Sequence, residues 1–314
     1  MNLKHLAAVA VFSIVSVSAA TPEKVELALN WKPEPEFGGF YAAQLAKLDR
    51  ENGIELDIKT GGAGQPVVQM VASGQVEFGI ASGDEVLIAR ERGADVVALF
   101  SVYQTSPVGF MVHASRGFKK LEDVFKNPGT VSLQKGLPQA AFLEKKYGFS
   151  KVKIVPYAGG VAAFLHDKEF SQQCFVTSEP IAARREKANP QTFLVSESGF
   201  DPYVEVVITR GEVLKKKPEL VKKLMKVFRA GWAKYLADPK ATNEMMYKLN
   251  PSLDLATYAE SAEVQKPLIE TALTRKQGLG AMTLEHWKKM ADQLLDLKLL
   301  TKKADVKSAF MTKD

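Results

Sequence analysis

Along the first hundred positions the apolar residues switch repeatedly between short β-like runs and stretches with helical spacing. Val25 to Asn30 reads as a strand, Phe40 to Asn52 as a helix ended by Gly53, and Ile54 to Lys59 as a strand. Gln65 to Ser73 follows as a helix with Pro66 in its first turn, then Val76 to Ala81 as a strand. Asp84 to Arg92 is a helix closed by Gly93, and Asp95 to Val102 a further strand. Such alternation predicts a parallel sheet covered by helices on both faces.

From about Pro107 the strands and helices shorten, and residues 108–200 are expected to form a second α/β lobe inserted into the first. "YVEVVITR", residues 203–210, alternates as a strand should and returns the chain to the first lobe, which would then comprise residues 21–107 and 201–314. The remainder is helical. Leu220, Leu224, Val227, Phe228, Trp232 and Tyr235 form one stripe, and Leu284, Trp287, Ala291, Leu294 and Leu295 another, so Trp232 and Trp287 are assigned to the core. Two lobes joined by crossing segments enclose a cleft at the carboxyl ends of their strands, where ligands bind in open α/β sheets. The expected architecture is therefore a two-lobed α/β fold of the periplasmic-binding-protein kind (type II-like), with a helical C-terminal region and closure about a hinge.

Composition narrows the function classes. The 314 residues, 46% hydrophobic and 25% charged, are those of a globular chain. The first twenty, "MNLKHLAAVAVFSIVSVSAA", have a basic start, an apolar run and small residues at a cleavage position, the pattern of a secretory signal peptide over 1–20. The apolar run is roughly a dozen residues, short of the about 20 that a spanning helix needs. Cleavage after Ala20 would leave Thr21, not a lipid-bearing cysteine, so a free periplasmic protein is expected. One cysteine, Cys174, allows neither an internal disulfide nor a thiolate zinc site, and four histidines leave little for metal or general-base chemistry. The net charge of +6 comes from lysines spread along amphipathic helices rather than gathered with aromatics, a solvated face and not a nucleic-acid footprint.

The candidate chemistry lies in loops. "NWKPEPEFGGFYAAQ", residues 30–44, places Trp31, Phe37, Phe40 and Tyr41 behind the first strand, and rings on a loop need either the core or a ligand as partner. In "ASGDE", Ser82 and Asp84 either cap a helix or, with the amide of Gly83, meet a polar ligand group. Gly136 marks a turn in "SLQKGLPQAAF", where Gln134 and Gln139 are either exposed loop residues or hydrogen-bond partners across the cleft. Gly159 and Gly160 would let backbone approach closely, and Glu179 in "FVTSEP" ends a β-like run as an acid able to accept amine hydrogens.

The succession of "LALNWKPEPEFGGFYAA", "GIELDIKTGGAGQPVVQMVASGQVEFGIASGDEVLIARERGADVVALF", "GTVSLQKG" and "CFVTSEP" resembles the thiamine-pyrimidine-synthase-like family of ABC-transporter substrate-binding proteins, over nearly all the chain beyond the signal. That resemblance implies a binder of thiamine pyrimidine precursors, riboflavin, sulfonates or nitrate, handing its ligand to an inner-membrane ABC permease. It implies ligand contacts at Trp31 or Tyr41 by stacking, at Ser82, Gly83 and Asp84, at Gln134, Gly136 and Gln139, at Gly159 and Gly160, and at Glu179 and Tyr203. Phe37 and Phe40 are left to packing. Where pyrimidine binders of the family show Asn and His before the glycine, this chain has Glu36 and Phe37, a departure that bears on the ligand. Pyrimidine synthases of the same fold carry a cysteine-rich iron motif that this chain does not match. The expectation is thus a non-enzymatic monomer without cofactor or metal, taking a heteroaromatic solute, first a thiamine pyrimidine precursor and next riboflavin.

Overall fold

The structure, a computed structural model, describes residues 21–62 and 64–312, so the predicted signal peptide lies outside the described residues. Among the described residues ten strands form two five-stranded sheets. The first is built from β1 (Glu23–Ala28), β2 (Ile54–Lys59), β3 (Phe78–Ala81), β4 (Val96–Ser101) and β10 (Val206–Arg210), in the order β2-β1-β3-β10-β4. The second contains β5 (Val108–His113), β6 (Gly129–Leu133), β7 (Val152–Pro156), β8 (Phe170–Phe175) and β9 (Pro190–Leu194), in the order β7-β6-β8-β5-β9.

Neither sheet is wholly parallel. β1 pairs in parallel with β2 and β3, but β10 enters antiparallel between β3 and β4, with Val206 opposite both Ala81 and Ser101. A strand arriving from the other lobe enters at the carboxyl edge of this sheet and so runs against its neighbours. In the second sheet β6 is parallel to β7 and β8, while β5 is antiparallel to β8 and β9. Every residue of β4 and β5 is buried, as expected of strands covered on both faces, whereas edge strand β2 keeps Asp57 and Lys59 outward, paired at 2.8 Å.

Apolar cores lie on both faces of the first sheet and another under the second. Trp232 and Trp287 are fully buried in the helices Pro218–Ala237 and Leu284–Asp296. The predicted helix Phe40–Asn52 is instead two, Gly38–Leu45 and Leu48–Glu51, broken where Lys47 takes a left-handed φ of 58°. Predicted strand 203–210 begins only at Val206, because Glu205 is itself left-handed, with φ 51°.

The lobes touch. Arg184 and Arg185, at the end of the helix Glu179–Arg185, pair with Glu260 on the helix Leu255–Ile269 at 2.7 and 3.4 Å. Lys145 pairs with Asp296 at 2.7 Å, and Phe175 at the end of β8 packs against the cores of both lobes. Among the described residues no helix is long and apolar enough to cross a membrane.

Candidate ligand cleft

Loops leaving the carboxyl ends of strands in both sheets supply the candidate cleft residues. From the first lobe come the loop after β1, the turn after β3, the segment after β4, and Glu205 immediately before β10. From the second come the residues after β7 and β8, chiefly Tyr157, Thr177 and Glu179.

The loop after β1 owes its course to helices more than two hundred positions away. Pro33 and Pro35 have no amide hydrogen to give, but their carbonyls accept hydrogen bonds: Pro33 from Tyr258 Oη at 2.8 Å and Asn250 Nδ2 at 3.2 Å, Pro35 from Gln265 Nε2 at 3.1 Å. Phe37 and Phe40 are fully buried, Phe40 meeting Phe228 edge-to-face at 4.7 Å. With the rings inside, the carboxyl groups of Glu34 and Glu36 are carried into the interlobe region, both more than nine-tenths buried.

These acids stand without cations. Among the described residues no Lys or Arg forms an ion pair with Glu34, Glu36, Glu179 or Glu205. Burial, then repulsion from Glu179 across the cleft, pushes Glu34 up to about 7, against the opposing effects of Trp31, Asn250 and exposed Lys32. Burial, then Glu34 and Glu205, holds Glu36 well above the usual carboxylate range. Burial raises Glu205 to about 8, partly offset by Asn30. Glu179 is also raised by burial, although its Oε1 accepts from the Tyr157 hydroxyl and its Oε2 from the Phe175 amide at 2.9 Å. Carboxylates crowded in a dry site favour the protonated form until something supplies positive charge or hydrogen-bond donors.

Several predicted contacts lie elsewhere. Tyr41 is buried in the first lobe's core, not displayed in the cleft, because the helix Gly38–Leu45 turns that face toward the helix Pro218–Ala237. Tyr203 is also core: it stacks on His286 at 4.0 Å and its hydroxyl accepts from the Thr283 amide at 3.0 Å. The Gly83 amide is spent on the Tyr203 carbonyl at 2.8 Å, and a side chain at Gly83 would strike Met290. Ser82 and Asp84 act as caps: the Ser82 amide donates to Glu85 Oε2 at 2.9 Å, the Ser82 hydroxyl reaches both carboxylates, and the Glu85 amide donates to Asp84 at 3.0 Å. Burial, then Glu85, raises Asp84 to about 6.

Trp31 is partly exposed, resting on the core with its indole against Glu34. Gln134 and Gly136 are exposed beyond β6, the Gln134 amide donating to Gln173 at 3.1 Å, and half-buried Gln139 lies in the first turn of the helix Pro138–Tyr147. Gly159 and Gly160 have φ of 74° and 66°, two successive left-handed residues that only glycine adopts readily. Sequence reasoning missed Glu34, Glu36, Glu205 and Thr177 as site residues. The legible signal was an acid inside an apolar strand pattern at Glu205, and two acids interleaved with prolines at Glu34 and Glu36.

Comparison with known proteins agrees with this architecture. The riboflavin-binding protein RibY of Chloroflexus aurantiacus is 24% identical over 92% of this chain and 85% of its own. The 4-amino-5-hydroxymethyl-2-methylpyrimidine phosphate synthase THI12 of Saccharomyces cerevisiae is 26% identical over 75% of each chain. Among solved structures, the periplasmic aliphatic sulphonate binding protein SsuA of Escherichia coli superposes with a TM-score of 0.72 at 15% identity, covering 93% of both chains. Its likeness shows that the two chains share the periplasmic-binding-protein fold. Residues 34–242 match the family model described as NMT1/THI5 like, a span holding both facing acids, Glu34 and Glu179, and the chain belongs to that family.

Proposed function

We propose that this protein is the solute-binding component of an ABC importer, capturing a small heteroaromatic ligand between its lobes in the periplasm and delivering it to an inner-membrane permease. The observation that carries the reading is that acids from opposite lobes, Glu34 after β1 and Glu179 after β8, are both buried and near enough to repel one another. A ligand that bridges them favours the closed form by its differential affinity for it. Trp31, partly exposed beside Glu34, offers the ring face for stacking, and stacked pairs contribute about 0.5–1.5 kcal/mol beyond area burial.

An aminopyrimidine of the thiamine-precursor type suits this arrangement, since its amine donors match carboxylate acceptors. Riboflavin is the second reading, supported by the likeness to RibY along most of both chains. Sulfonate or nitrate is disfavoured, because an anion placed among these acids would meet like charge and no paired cation. Binding is favoured over catalysis because the one cysteine, Cys174, is buried beside Met111 and Phe164, and burial, then nearby Glu179, holds its thiol protonated. We further propose a monomer, exported and not lipidated.

A thermal-shift and tryptophan-fluorescence screen of aminopyrimidines, thiamine, riboflavin, taurine and nitrate tests the reading. The expected result is a rise in melting temperature with an aminopyrimidine or riboflavin, because a ligand well above its Kd stabilises the folded state by several kcal/mol. A response to taurine or nitrate alone would overturn it.

A further inference from the structure

The four acids of the cleft are buried, come from three separate segments of the chain, and carry no ion pair. A stability role does not explain them, since unpaired buried carboxylates cost free energy whether they ionise or hold a proton. Nor is their arrangement a metal site: among the described residues no group of three or more His, Cys, Asp or Glu is placed to hold an ion.

A second observation is independent of the acids. Thr177, two residues before Glu179, is 1% exposed, and its hydroxyl makes no hydrogen bond of ordinary geometry although it lies beside Tyr103. Tyr103 has already turned its own hydroxyl to Gln265, at 2.8 Å. On the first lobe Glu205 Oε2 and Asn30 Oδ1 are likewise buried without a hydrogen bond of ordinary geometry, the two side chains lying against one another. The open positions are a carboxyl oxygen, an amide oxygen and a hydroxyl, on both sides of the cleft, and each can accept a hydrogen bond from a donor-rich group. Exposed Lys32 is the cation nearest in sequence to Glu34, and it forms no ion pair with it.

We infer that the ligand carries a positive charge, an ammonium or amidinium group with several N–H donors, seated between Glu34 and Glu36 of the first lobe and Glu179 of the second, with Glu205 and Thr177 accepting its remaining hydrogens. This rests on the reading of the interlobe cleft as the binding site, and it narrows the ligand from flat heterocycles in general to basic ones. Charge-assisted hydrogen bonds to carboxylates are roughly twice as strong as neutral ones, and a cation removes the repulsion between acids that closure creates.

The test is a matched pair of probes offered to the full secreted chain: 4-amino-5-hydroxymethyl-2-methylpyrimidine, and the same ring with an aminomethyl group in place of the hydroxymethyl. Isothermal titration is expected to show the ammonium-bearing probe binding at least about tenfold more tightly, with Glu34→Gln and Glu205→Gln each reducing that preference at least about tenfold. The same variants, without ligand, are expected to melt at a higher temperature than the parent. Loss of folding would lower the melting temperature and binding together; a gain in one with a loss in the other marks a ligand role. Equal affinity for both probes, unaffected by either variant, overturns the charge inference while leaving a heteroaromatic binder in place. Binding of taurine with neither probe bound overturns both.

Discussion

Arg184 of the second lobe places Nη2 2.7 Å from Oε1 of Glu260 on the first, and Arg185 reaches the other oxygen of the same carboxylate at 3.4 Å. One acid of the helix Leu255–Ile269 thus holds the end of the second-lobe helix that begins with Glu179. These side chains are between 34% and 45% exposed, so each pair contributes only about 0.2–1 kcal/mol. Glu260→Gln is expected to raise the ligand off-rate about two- to fivefold, measured by stopped-flow fluorescence, and to flatten its salt dependence. An unchanged off-rate would make these pairs incidental to closure.

Trp31 is the ring of the first loop that stays partly exposed. Trp31→Ala should weaken heteroaromatic binding at least roughly tenfold, a loss of about 1.4 kcal/mol, with the ligand-free melting temperature little changed. Titration of the variant with the wild-type ligand checks this, and an unaltered Kd would remove Trp31 from the site.

The raised acids set a pH dependence whose sign is fixed. Glu34 and Glu205 bind protons more readily folded, at about 7 and about 8, than in the unfolded chain near the ordinary carboxylate value. The folded state therefore holds more protons than the unfolded state between about pH 5 and 8, and ligand-free stability falls as pH rises through that window. Melting temperature should be higher at pH 5.5 than at pH 8, and Glu205→Gln should lessen the difference. The carboxyls lowered by surface partners, such as Asp57 and Glu91, act only below the window.

The helices Gly38–Leu45 and Pro218–Ala237 cross at glycines, where their backbones come close. A β-carbon on Gly231 would lie 2.2 Å from the Gly39 carbonyl oxygen, and one on Gly39 2.2 Å from the Trp232 ring. Gly231→Ala and Gly39→Ala are each expected to destabilise by about 1–3 kcal/mol through overpacking, the first against backbone and the second against the fully buried Trp232 ring near its attachment. Chemical denaturation of each variant measures both.

Periodicity made the strands and the amphipathic helices legible, because burial of one face imposes its spacing locally. Residues 54–59 form the strand that their pattern predicts, and Trp232 and Trp287 lie in the core that their stripes require. Phe37 and Phe40 were likewise assigned correctly to packing, and the fold and family followed from the order of motifs. Strand direction was less legible: β10 looks like any alternating strand, and only its arrival from the second lobe makes it antiparallel.

At the site, local signals misled where two roles share one sequence. Ser82 and Asp84 suit a cap and a ligand contact equally, and the structure uses them as caps. Tyr41 and Tyr203 carry polar tips and aromatic bodies, and tertiary packing drew both bodies into the core.

By itself, then, the sequence determined which segments would be strands and helices, which stripes would be buried, and that the chain would form two α/β lobes, since each follows from short-range spacing and the hydrophobic effect. Only the tertiary structure decided that Glu34, Glu36, Glu179 and Glu205 share one buried, cation-free region. Their proximity depends on where two sheets end, on carbonyls of Pro33 and Pro35 held by residues near the other end of the chain, and on closure of one lobe against the other. Electrostatic energy depends on distance in space, and separation along the chain carries almost no record of it.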